Sequence, residues 1–271
     1  MRTEYTMNSS GLGKNSRQRL AEVLRQTKGT ISVQQAAKAL KLPSEKIAKI
    51  LSRWAEQGWL SRVQRGLYIP VPLEARSPDV APEDSWIIAE RLYDPCYIGG
   101  WSAAEHWNLT EQIFRTVLVM TTRRVRERKP EIKGIRFQVR TVSPDSLFGT
   151  KAVWRIQVRV QVADASRTIV DLMDDPALGG GLRSTTDILQ SYLSSQHKNP
   201  DLLIAYAERL GNKTVFKRLG LLTERLAPTE ENLIRECRTR LSEGNSKLDP
   251  ALPSPRLVTS WKLWVPEGWT K

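Results

Sequence analysis

The sequence predicts an α+β protein: an N-terminal winged helix-turn-helix, then a larger mixed α/β domain whose C-terminal part is mainly helical. Three observations predict it. Three short amphipathic helical patterns before Gly58 are closed by an apolar hairpin, apolar and polar residues alternate in runs before residue 163, and helical periodicity returns from Asp164 onward.

The first helix is expected at about 16–27, in "SRQRLAEVLRQTKG", where Leu20, Val23 and Leu24 recur at helical spacing and Gly29 supplies a stop. Ser32 followed by Gln35 has the pattern of a capping box, in which each side chain satisfies a free backbone amide of the other, so a second helix is expected at 33–40. Pro43 cannot continue that helix. Ser44 reads as the N-cap of a third helix at about 45–57, with Glu45 in its positive first turn and Gly58 past its end. Ile47, Ile50, Leu51 and Trp54 form its apolar stripe, while Lys46, Lys49 and Arg53 share another face. In "GWLSRVQRGLYIP", Trp59, Leu60 and Val63 precede the turn Gln64-Arg65-Gly66 and Leu67, Tyr68 and Ile69 follow it, a two-stranded hairpin that Val63, Leu67 and Ile69 dock. Helices and hairpin in this order make a winged helix-turn-helix over residues 16–72, preceded by a disordered polar tail at 1–15.

Pro72, Pro78 and Pro82 mark 73–83 as a linker. The second domain is expected at 84–250, strand-rich over 95–163 and helical over 164–243. "DSWIIAERLYDP" reads as a helix, "CYIGGWSAAEHW" as a short extended run, a glycine break and a helix, and "RTVLVMTT" as a buried strand. Alternation in Ile135-Phe137-Val139 and in Ile156-Val158-Val160-Val162 predicts half-buried antiparallel strands. Helices follow "DASRTIVDLMDD" at about 185–195, 201–210, 213–226 and 229–242, and residues 251–271 form a Trp/Pro-rich tail that runs along the surface or docks into a groove. Trp86, Trp101, Trp107 and Trp154 read as core.

With 42 basic and 29 acidic side chains the 271-residue chain carries +13, and residues 1–72 alone hold 13 basic against 4 acidic. That bias points to a polyanionic partner, nucleic acid first, and places the contact in the winged helix. Ser44, Lys46, Lys49 and Arg53 on the third helix, with Arg62 and Arg65 on the hairpin, are the DNA-binding candidates: a helix in the major groove neutralises phosphates and reaches base edges, and a wing arginine enters the adjacent minor groove. The segment 123–140 holds eight basic side chains, and Arg123, Arg124, Arg126, Arg128 and Lys129 are either a second nucleic-acid surface or charges that protect a sheet edge.

Enzyme chemistry finds little support. Glu131-x-Lys133 with Asp94 or Glu111 imitates part of a metal-dependent nuclease site, but such a site needs two acids converging on one metal. "GLGKNS" lacks the first glycine and the magnesium-binding hydroxyl of a phosphate loop. Cys96, Cys237, His106 and His197 have no metal-ligand spacing, so neither a metal nor a cofactor is expected and no catalytic residue is assigned. The polar N-terminus and the lack of a long apolar run predict a soluble cytoplasmic protein that engages no membrane.

"RVQRGLYIP" after a basic helix-turn-helix, "YIGGWSAAEHWNLTEQIFRTVLVMTTRR", "ADASRTIVDLMDDPALGGG" and "LLIAYAERLGNKTVFKRLGLLTERL" together resemble the AbiEi family of antitoxins from bacterial type IV toxin–antitoxin systems, over roughly residues 16–250. The resemblance implies a winged helix that binds inverted repeats in its own promoter and represses the operon, and a C-terminal domain that counters a nucleotidyltransferase toxin without requiring a stable complex. It implies no catalytic residue. The positions that match the recognition helix and wing are Ser44, Lys46, Lys49, Arg53, Arg62 and Arg65. From the residues alone two other readings stay open: a regulator whose second domain binds a partner or ligand with no toxin, and a metal-dependent nuclease.

Overall fold

The computed structural model describes residues 13–27, 29–72, 84–155 and 158–269. The expected linker at 73–83 and most of the expected N-terminal tail lie outside them. The chain is α+β, with a winged helix-turn-helix at its N-terminus and a mainly helical C-terminal part.

Helix α1 (Lys14–Gln26) buries Leu20 and Val23, and strand β1 (Ile31–Ser32) leads into helix α2 (Val33–Leu40). The capping box forms: Ser32 Oγ accepts from Gln35 N at 3.2 Å and Gln35 Oε1 accepts from Ser32 N at 3.0 Å. Lys41, left-handed at φ 52°, ends α2 and turns the chain into helix α3 (Ser44–Glu56). The N-cap of α3 is Pro43, not Ser44 as expected. The Pro43 carbonyl already accepts from Lys46 N at 3.0 Å and Ile47 N at 3.1 Å, which makes Ser44 the first helical residue. Proline suits a helix entrance, where no intrahelical amide is needed.

Strands β2 (Leu60–Gln64) and β3 (Leu67–Pro70) form the hairpin, and the sheet order β1-β3-β2 puts β3 in the middle. Strand β3 buries Leu67, Tyr68 and Ile69 alike, so both of its faces are covered. A bulge between Arg62 and Gln64 leaves Val63 half-buried and shifts the register, so that Gln64 pairs with Leu67 but Arg62 with Tyr68. Gly66 takes φ 80° to close the turn, and its carbonyl accepts from Val33 N at 3.2 Å, which ties the wing to the start of α2. Leu20, Val23, Ile31, Ala36, Ile47, Leu51, Trp54, Leu60 and Tyr68 form one core under these elements.

Helix α4 (Ser85–Tyr93), capped by Asp84, is followed by strand β4 (Cys96–Ile98), helix α5 (Gly100–His106), and strands β5 (Thr116–Thr121), β6 (Glu131–Ile132), β7 (Ile135–Thr141), β8 (Thr150–Arg155) and β9 (Val158–Ala163). These strands are ordered β6-β7-β5-β4-β9-β8. The alternating strands were expected to pair antiparallel, but β9 runs parallel to β4, with Ile98 opposite Val162. Alternation reports one buried face and says nothing of strand direction. Residues 156–157 of the second alternating run lie outside the described residues. Trp154 is not core as expected: it is 67 % exposed, because β8 is the outermost strand and alternation along it with Arg155, which faces α4, turns Trp154 outward.

Helices α6 (Ala165–Asp174), α7 (Leu182–Leu193), α8 (Pro200–Leu210), α9 (Thr214–Leu226) and α10 (Glu231–Thr239) follow, and the tail forms a small sheet from β10 (Ser246–Lys247), β11 (Arg256–Val258) and β12 (Leu263–Val265) in the order β10-β12-β11. Trp261 anchors it, fully buried, with its ring where a Cβ on Gly220 of α9 would sit.

The chain divides into two compact units. The first comprises Met1–Asp94, Lys129–Phe137 and Val153–Val160; the second comprises Pro95–Arg128, Gln138–Ala152 and Gln161–Lys271. Within the first, α4 joins the winged helix to the strand segments. Arg91 Nε donates to Thr30 Oγ1 at 3.2 Å, Tyr93 meets Phe137 edge-on at 6.2 Å, and Arg155 pairs with Asp84 at 2.6 Å while lying 5.0 Å from the centre of the Trp86 ring.

Candidate nucleic-acid interface

Helix α3 divides cleanly by face. Ile47, Leu51 and Trp54 are buried in the module core, and Ser44, Lys46, Lys49 and Arg53 are exposed. From Lys46 to Arg53 the cations cover about 10 Å of helix axis at 1.5 Å per residue. Arg65 is exposed in the two-residue turn of the wing, whose backbone is fixed by Gly66 and Val33. Among the described residues, none of the side chains of Lys46, Lys49, Arg53 and Arg65 takes part in a hydrogen bond or ion pair. Four cations on a rigid scaffold are thus left to solvent, and Glu45 and Glu56 are the acidic residues on α3.

Arg62 differs from the other five. It is exposed on β2, yet its Nη2 donates to Tyr68 Oη at 3.0 Å and to Ser52 Oγ on α3 at 3.5 Å, the outer limit of a hydrogen bond. Its Cζ lies 5.5 Å from the centre of the Tyr68 ring. Sequence reasoning missed Tyr68 and Ser52 as partners of this arginine. A bulge-free hairpin with the same two-residue turn would have placed Ile69 opposite Arg62.

Arg123, Arg124, Arg126, Arg128 and Lys129 are all exposed in the connection between β5 and β6. Its backbone is held where Arg128 O accepts from Val139 N at 2.8 Å and Arg123 O accepts from Thr141 Oγ1 at 3.2 Å. Further along the same basic segment, Arg136 pairs with Glu131 at 3.5 Å and Arg140 with Asp175. Among the described residues, no group of three His, Cys, Asp or Glu side chains could hold a metal ion, and Glu131, an acid of the nuclease reading, is the partner of Arg136. No helix of the described residues is long and apolar enough to cross a membrane.

The second unit holds a buried polar knot that the sequence did not advertise. Arg167, 1 % exposed, donates from Nε to Asp171 Oδ1 at 2.8 Å and from Nη2 to Tyr97 Oη at 3.1 Å, and Tyr97 Oη donates to Asp171 Oδ2 at 3.0 Å. The guanidinium lies 3.9 Å from the centre of the Phe148 ring, and its Nη1 finds no partner. Burial pushes the Asp171 carboxyl up to about 6 against the opposing pull of Arg167, and raises the Tyr97 hydroxyl well above its usual range. Its one signal in the sequence was Arg167 and Asp171 four apart on helix α6.

No curated protein matches the chain. Residues 18–71 match the model of a family described as transcriptional regulator, AbiEi antitoxin, a match that begins inside α1 and ends just past β3. Over that stretch, the module that carries the exposed cations of α3 and the wing is similar to the AbiEi antitoxin family of transcriptional regulators.

Proposed function

We propose that the chain is a cytoplasmic DNA-binding antitoxin and autorepressor of a type IV toxin–antitoxin operon. The winged helix binds inverted repeats in its own promoter, and the rest of the chain counters a nucleotidyltransferase toxin without a lasting complex. The observation that carries the DNA half is the row of Lys46, Lys49 and Arg53 on the open face of α3, with Ser44 at its start and Arg65 at the wing turn, on a module of a regulator family. Lysine and arginine there neutralise phosphates, and the helix presents its side chains to base edges.

The toxin half rests on the family of that module. Co-expression with the neighbouring open reading frame tests it. The neighbour alone is expected to arrest growth and this chain to restore it; no arrest, or no rescue, would leave a regulator without a toxin. Rescue by a chain carrying Lys49→Ala and Arg65→Ala would further show that neutralisation does not run through operator binding.

A further inference from the structure

Tyr68 lies on the central strand of the winged helix at 2 % exposure, with Ile31 opposite it on one side and Arg62 on the other. A phenol buried that deeply needs a partner for its hydroxyl, and Arg62 supplies one from the rim. The same Nη2 reaches Ser52, which sits on α3 directly before Arg53 and three residues after Lys49, and the Ser52 hydroxyl donates on to Glu56 at 3.3 Å. One guanidinium therefore spans from the wing strand to the helix that carries the cations. It does so immediately before the Val63 bulge that sets the direction of the wing tip.

We propose that Arg62 is a positioning residue: it straps the wing to α3 through Tyr68 and Ser52, so that Arg65 and the Lys46–Lys49–Arg53 row meet one duplex at a fixed angle. The proposal rests on the DNA-binding reading of α3. A strap of this kind lowers the cost of ordering the wing when DNA binds. It also calls for the arginine fork, whose planar guanidinium holds its donors in fixed directions where a lysine ammonium on its flexible stem does not. An arginine that contacted phosphate directly would behave differently. It would count in the salt dependence, a lysine would replace it in good part, and the Tyr68 hydroxyl would be irrelevant to DNA.

The test uses the full chain and a duplex from upstream of its own gene, with affinity measured over a series of salt concentrations and a melting curve for every variant. Arg62→Ala, Arg62→Lys and Tyr68→Phe are each expected to weaken binding about tenfold, the worth of one charge-assisted hydrogen bond. The slope of log affinity against log salt is expected to stay as in the wild type, and the Arg62→Ala/Tyr68→Phe double variant to bind no worse than Arg62→Ala alone. Wild-type affinity for Tyr68→Phe, recovery by Arg62→Lys, or a slope lowered by about 0.9 in Arg62→Ala would overturn the proposal and make Arg62 a phosphate contact. If Arg62→Ala melts below the assay temperature, Tyr68→Phe decides alone. Lys49→Ala separates the two levels: unchanged affinity and slope in that variant would remove the DNA reading of α3 itself.

Discussion

Arg65 stands in a turn whose backbone is pinned on both sides, so its substitution removes a charge and little else. Arg65→Ala is expected to weaken operator binding and to lower the salt slope by about 0.9, as the loss of one phosphate contact does. Equilibrium titrations at several salt concentrations check this, and an unchanged slope would mean that the wing does not touch the backbone. Asp171 makes the opposite kind of residue, engaged on all sides. Asp171→Ala strips acceptors from both Arg167 and Tyr97 and is expected to cost about 3–5 kcal/mol, the usual penalty for orphaning a buried charge. Its pH behaviour follows from its titration near 6 in the fold against an ordinary 3.8. Between those values the folded state keeps a proton that the unfolded chain has lost, so this group makes the protein less stable as pH rises from about 4 to 6 and changes nothing further above that window. Urea midpoints across that range are expected to show the decline in the wild type and its absence in Asp171→Asn. The contrast between the two sites explains what was legible. Lys46, Lys49 and Arg53 could be read from spacing because a surface helix face needs only period 3.6, whereas the partner of Arg62 depended on a bulge that "SRVQRG" does not announce.

At the level of elements, local signals served best where the backbone itself satisfies them. Ser32 and Gln35 form the expected reciprocal cap, and Ser32→Ala is expected to destabilise the protein by about 1 kcal/mol in a denaturant titration while leaving the salt slope of DNA binding alone. The start of α3 moved by one residue because Pro43 O opens the hydrogen-bond ladder, a distinction no capping preference makes by itself. Strand direction escaped for a different reason: Val158, Val160 and Val162 would alternate identically in either orientation, and the partner of β9 lies some sixty positions earlier in β4. The tail shows a tertiary cause as well. Gly220 reads as a flaw in α9, yet it is the place where the Trp261 ring rests, and Gly220→Ala is expected to cost about 1–3 kcal/mol through overpacking, measured as a lower unfolding midpoint.

For the molecule as a whole, charge is uneven between the two units. The first unit carries 20 basic and 11 acidic side chains and the second 22 and 18, so most of the excess sits in the unit that contains the winged helix. Two segments of that unit, Lys129–Phe137 and Val153–Val160, come from far along the sequence, and no periodicity or composition shift could have assigned them there. With Lys46, Lys49, Arg53 and Arg65 as phosphate contacts, each copy of the module on DNA is expected to show a salt slope of about −3.6. Helix α6 carries a consequence of its own. Every residue from Ala165 to Met173 is buried, including an arginine and an aspartate that hold each other in place. Amides in such a helix cannot exchange with solvent through local fraying, so on transfer to heavy water α6 is expected to keep its protons longest and to release them only when the whole second unit opens.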